Sequence, residues 1–181
     1  DVDVATPISV DNPSGLNVLY AGGRADFQQA VTGVDAAVTM PGLMTDELRD
    51  IDTFPTRIEV DQRTVQITNG TVQTWYRQMH QARASLIRGT EGFANYAPND
   101  VRRAELHGIE SLLFTMFGED FCNGVAYSTF KDGVATLGGP NTTDETFNLA
   151  VSQADSAIQL AKPASNELYL AQIAKARALM N

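Results

Sequence analysis

Between Thr143 and Leu160 the apolar positions fall at Phe147, Ala150, Val151, Ala154, Ala157, Ile158 and Leu160. After Pro163 they recur at Leu168, Leu170, Ile173, Ala174, Ala176, Leu179 and Met180. Steps of three and four residues are the period of an amphipathic helix, and a proline between two such runs breaks the chain. Two helices joined by a short loop are therefore predicted, the second folding back antiparallel on the first. Ala150, Ala154 and Ala157 on one, with Ala171, Ala174 and Ala178 on the other, let the backbones approach closely. Such hairpins are the unit of tetratricopeptide-like repeats. The repeat consensus is matched only loosely, so repeat-like hairpins rather than a regular array are expected.

Similar punctuation runs upstream. Asn12 and Pro13 suit the cap and first turn of a helix carrying Leu16, Leu19, Tyr20, Phe27, Ala30, Val31 and Val34, interrupted at Gly22-Gly23. Met40-Pro41-Gly42 reads as a break, and Thr45 as the cap of a short helix from Asp46. Val72, Trp75, Tyr76, Met79, Ala82, Leu86 and Ile87 form a long helix predicted to end near Gly89, before a linker over 92–99. Asp100 caps another, with Gly118 as its expected terminator. Phe121 to Thr129 reads as short and extended, and Lys131-Asp132-Gly133 and Gly138 to Asn141 as turns.

The expected fold is mainly all-α: tetratricopeptide-like antiparallel hairpins with long ordered loops. At 181 residues the chain fits one domain over 1–181. Its expected parts are an extended tether at 1–12, first helices at 13–48, a long loop at 49–69 and helical hairpins at 70–181. The chain opens at Asp1 without a leader, and its final helix has nothing after it to cover an apolar face. The start fits either a cytosolic chain or one whose leader has been removed, and the final helix is expected to be followed by more chain beyond Asn181.

Residues 49–69 carry no clean helical period, and long ordered loops are uncommon unless functional. Phe54 sits there among Asp50, Asp52 and Arg57. An aromatic ring between carboxylates and a guanidinium is suited to a polar ligand, so these four are the candidate ligand-binding residues. The competing reading has Phe54 plugging the loop onto the core. Asp46, Asp50 and Asp52 are weak calcium candidates, because hard cations want several oxygens. They lack the spacing and glycine of an EF-hand loop, so calcium is the only cofactor considered and no metal site is assigned.

Charge narrows the partners. The chain holds 22 acidic and 13 basic residues, a net charge of −9, and only three of the bases are lysines. An acidic protein repels phosphate backbones, so no nucleic-acid partner is expected. Eleven of the acids and three arginines fall in residues 1–61, so nearly all the excess lies in the first third. That asymmetry marks a cation-attracting face, a docking surface or simply a solvated face.

The catalytic inventory is thin. His80 and His107 have no ligand-spaced partner, and Cys122 has no base beside it in sequence and reads as a small core residue. Gly-x-Ser-x-Gly is missing, and the Gly-Gly pairs lack a phosphate loop's spacing. Trp75 and Tyr76 offer a sugar-stacking platform, but their spacing with Met79 and Leu86 favours the core. Asn69-Gly70-Thr71 and Asn141-Thr142-Thr143 match the glycosylation acceptor pattern, which is common by chance. No enzymatic activity is expected.

A series of short motifs carries a resemblance. They are Asp11-Asn12-Pro13, Leu43-Met44-Thr45-Asp46-Glu47, Phe54-Pro55-Thr56-Arg57, Trp75-Tyr76-Arg77 and Ala82-Arg83-Ala84. Ala104-Glu105-Leu106-His107-Gly108, the run from Phe117 to Val125, and Ala176-Arg177-Ala178-Leu179 complete the series. In this order they resemble the N-terminal half of the SusD/RagB family of nutrient-binding outer-membrane lipoproteins. The resemblance implies a tetratricopeptide-like scaffold exposed on the cell surface at the outer membrane. It implies binding of oligosaccharides or peptides and their delivery to a TonB-dependent SusC-like porin, without cleavage. It also implies that the loop after the Thr-Asp-Glu motif, here 49–63, contributes to the ligand face. Two departures stand out: the family's lipid anchor on an N-terminal cysteine is not in this chain, and family members are longer. An alternative function is a structural or assembly scaffold that binds protein partners or itself through the helical repeats.

Overall fold

Asn12 accepts hydrogen bonds from the backbone N–H groups of Ser14 and Gly15, and Pro13 supplies the fixed φ of a first helical turn. The computed structural model describes residues 10–122, 124–131 and 134–181. The expected tether lies outside them up to residue 9, as do positions 132 and 133 of the expected turn. Residues 10–12 are not a loose tether. Val10 is buried, and Asp11 pairs with Arg88 and accepts a bond from the Tyr96 hydroxyl at its carbonyl.

Among the described residues the fold is mainly helical. After the Pro13–Gly15 turn come α1 (Leu16–Thr32), α2 (Thr39–Met44), α3 (Pro55–Asp61), α4 (Gly70–Tyr96), α5 (Val101–Asp120), α6 (Thr143–Leu160) and α7 (Asn166–Leu179). Two short antiparallel strand pairs fill the excursion before α6: β1 (Val125–Ala126) with β4 (Pro140–Asn141), and β2 (Thr129–Lys131) with β3 (Val134–Thr136). None of these helices is long and apolar enough to cross a membrane.

α5 is the hub. It packs against α1 and α4 on one side and against α6 and α7 on the other, and α6 and α7 also pack on each other. The main core gathers Leu16, Leu19, Trp75, Met79, Leu86, Phe93, Leu106, Leu113 and Phe117. The alanine seam is present: Ala150, Ala154, Ala157, Ala171, Ala174 and Ala178 are all buried. A capping box in which Thr142 and Glu145 satisfy each other's backbone starts α6, and Ser165 caps α7.

Several expected boundaries move. The predicted loop over 49–69 contains α3, because Pro55 opens a helix whose apolar residue Val60 is buried. Met40-Pro41-Gly42 does not break the chain. Pro41 sits in the first turn of α2, where its missing N–H costs nothing. Thr45 ends that helix, its hydroxyl donating to the Pro41 carbonyl, and Asp46 turns into the left-handed region. α4 runs past Gly89 and α5 past Gly118, since both glycines serve close packing rather than termination. A Cβ at Gly89 would lie 2.8 Å from Leu106, and one at Gly118 2.7 Å from Phe147.

Candidate functional site

The segment joining α2 to α3 is ordered by its own side chains. Asp50 Oδ1 accepts from the Asp52 N–H, and Asp52 Oδ1 accepts from the Phe54 N–H. Two successive Asx turns thus coil the chain into the first turn of α3. Phe54, preceding a proline, is held extended as that position requires. Arg57 then projects back from α3. Its guanidinium donates to Asp35 at 2.8 Å and to Asp52, and lies 4.6 Å from the Phe54 ring centroid.

Three of the four candidates, Asp52, Phe54 and Arg57, therefore touch, and Asp50 is tied to them through the Asx turn. Phe54 is 58% exposed, so it does not plug the loop onto the core. The Phe54 N–H and the Arg57 guanidinium hold the Asp52 carboxyl below its ordinary range. Hydrogen bonds from Arg57 to Asp35 and Asp52 raise the guanidinium further.

The segment is clasped at both ends. Arg63 makes a two-point ion pair with Asp46 and donates to the Met44 carbonyl. Asn69 caps α4 and donates to the Thr56 carbonyl at 2.8 Å and to Glu59 at 2.7 Å. That side chain is buried and fully used, so the acceptor pattern at Asn69 does not present an accessible amide. Asp46 is committed to Arg63 and Asp52 to Arg57, and among the described residues no three His, Cys, Asp or Glu side chains gather to hold a metal.

A cavity of about 240 Å³ opens beside this cluster, lined by Val34, Thr39, Leu43, Leu48, Arg49, Asp50, Ile51, Asp52 and Arg57. Ile51 is 93% exposed, and Val34, Leu48 and Phe54 are also exposed. Arg49, which sequence reasoning passed over, makes no hydrogen bond or ion pair among the described residues. Asp50 Oδ2 finds no donor. The apolar residues and free arginine had no periodicity to mark them; their convergence depends on the α2–α3 fold-back.

A larger depression of about 500 Å³ between α1 and α5 is lined by Tyr20, Arg24, Phe27, Glu105 and Ile109, among others. Its polar groups satisfy one another: the Tyr20 hydroxyl donates to Glu105 at 2.5 Å, and Arg24 reaches both. Other titratable groups lie largely inside the fold. His80 stacks among Tyr76, Phe117 and Tyr127, and burial pushes its pKa down to about 4. Arg83 donates to the Ser128 carbonyl and lies over Tyr127, anchoring the strand excursion to α4. Trp75 is buried in the core rather than offered as a platform. His107 bonds to Gln153, while Cys122 is exposed, contrary to expectation, and makes no bond to His107 among the described residues. No protein family, curated protein or solved structure matches this chain.

Proposed function

We propose that this chain is a binding protein that takes an oligosaccharide or peptide on the α2–α3 face and delivers it to a TonB-dependent, SusC-like porin at the outer-membrane surface. The observation that carries the binding part is the convergence of Asp50, Asp52, Phe54 and Arg57 at the rim of an amphipathic cavity. The delivery part rests on the motif series resembling the SusD/RagB family, and tetratricopeptide-like organisation of the hairpins belongs to the same reading. The role needs no catalytic residue and no cofactor.

A glycan and peptide array on the protein tests it. A hit is expected, and Arg57→Ala should weaken that hit at least tenfold. Arg57→Ala removes the guanidinium from Asp35 and Asp52, but both carboxylates reach water and Asp52 keeps its bond from the Phe54 N–H, so the variant should stay folded. Phe54→Ala, at an exposed ring, should weaken binding without loss of stability. Silence of the whole array would overturn the reading.

The scaffold reading is favoured by a separate observation. Tyr169 and Ile173 on α7, with Met180 at its C-cap, lie four and seven residues apart and are 51%, 65% and 80% exposed. An apolar stripe of this kind is suited to another protein surface.

A further inference from the structure

The cavity beside α2 discriminates between the two ligand classes, an inference that rests on the binding reading above. Its walls are aliphatic: Val34, Leu43, Leu48 and Ile51. None of the residues lining it is aromatic. Phe54, the one ring nearby, has a face covered by the Arg57 guanidinium at 4.6 Å. Sugar rings are gripped by open aromatic faces, and no residue lining the cavity offers one. At about 240 Å³ it is smaller than the usual small-ligand pocket of roughly 300–1,000 Å³ and suits a single aliphatic side chain.

Charge completes the argument. Between Asp35 and Arg63 the chain carries seven carboxylates and three guanidiniums, and Arg57 and Arg63 are already paired with Asp35, Asp52 and Asp46. The face is therefore negative, and a cationic ligand is drawn to it. Asp50 lines the cavity and keeps its negative charge without a cationic partner; its Oδ1 accepts from the Asp52 N–H, and its Oδ2 is buried and meets no donor among the described residues. Arg49, on the same rim and without a partner, is free to donate to a main-chain carbonyl.

We infer that the α2–α3 cavity binds a peptide, seating an aliphatic side chain between Leu48 and Ile51 while a neighbouring basic residue of that peptide meets the carboxylate rim at Asp50.

Titration calorimetry at low salt tests this with four probes: the capped tetrapeptides Gly-Leu-Lys-Gly, Gly-Leu-Glu-Gly and Gly-Ser-Lys-Gly, and a linear glucose hexasaccharide. Gly-Leu-Lys-Gly should bind at least tenfold more tightly than either other peptide. Ile51→Ser, at a side chain that is 93% exposed, should weaken it several-fold without unfolding the protein. Asp50→Asn keeps the Oδ1 acceptor that orders the turn and removes the charge, so it should erase the preference for lysine over glutamate. Binding of the hexasaccharide alone overturns the peptide assignment and leaves the binding reading standing. Equal binding of the lysine and glutamate peptides, or binding indifferent to Ile51→Ser, overturns the assignment to this cavity. Silence of all four probes overturns the assignment; silence of the wider array as well overturns the binding reading with it.

Discussion

Glu110 shows how one residue reports its surroundings. It is 2% exposed on α5, and burial pushes its carboxyl up to about 8, against the partial counter-effect of Arg83. In the unfolded chain the same group ionises near 4.5. Between those values the folded chain holds a proton that the unfolded chain has released, so stability falls as pH rises across that window. Glu110→Gln removes the titration. It should raise stability at pH 8 by at least about 1 kcal/mol relative to its effect at pH 4.5, read by urea unfolding at both pH values. An unchanged difference would show that Glu110 is already ionised in the fold. None of this was legible in the sequence, where Glu110 is one acid among many. Asp50, Asp52, Phe54 and Arg57 were legible as a group, because an aromatic ring among charged residues close together along the chain stands out in a linear reading. Arg49 was not, since what distinguishes it is the lack of a partner in space.

At the scale of elements, caps were read in part and glycines poorly: Thr45, expected to start a helix, ends α2. Asn12 and Asp100 act within three residues of themselves, so sequence spacing carries them, while the Thr142–Glu145 box went unread. A glycine's meaning depends on what lies opposite. Gly22 on α1 faces open space, whereas a Cβ at Gly89 on α4 would meet the fully buried Leu106 at 2.8 Å and the Leu19 carbonyl oxygen at 3.6 Å. Helix propensity favours alanine over glycine by about 1 kcal/mol at both positions. Gly22→Ala should therefore stabilise by up to that amount. Gly89→Ala should destabilise by about 1 kcal/mol net, because overpacking a core costs roughly 1–3 kcal/mol. Denaturant midpoints of the two variants, compared with the parent, decide it; the same sign for both would refute the packing account. The helix at Pro55–Asp61 was hidden for a related reason. Its seven residues make barely two turns, too few for a periodicity to stand out, and tertiary burial of Val60 fixes it.

At the scale of the molecule, α5 as hub leaves α7 with its alanines turned inward and Tyr169, Ile173 and the C-cap Met180 outward. If that stripe joins copies of the chain, the double variant Tyr169→Glu and Ile173→Glu should abolish concentration-dependent association in sedimentation velocity. Its unfolding midpoint should stay within about 0.5 kcal/mol of the parent, as exposed substitutions do. A parent chain that is monomeric at all concentrations would remove self-assembly from the scaffold reading. The charge asymmetry belongs to this scale too. Eight of the eleven acids of residues 1–61 lie at or before Asp50, yet what they do depends on the arginines that reach them. Arg57 spans two carboxylates, and Arg63 and Arg88 take one each.

The sequence by itself determined the helical class, the alanine seam of α6 and α7, and most of the helix starts. Each follows from interactions between residues a turn apart, which a linear pattern records. Only the tertiary structure decided which glycines pack, which carboxylates are paired, and that Val34, Leu48, Ile51 and Arg49 converge on one cavity. Those outcomes depend on the return of α3 against α2 and α4, and a pattern read along the chain carries no distances across it.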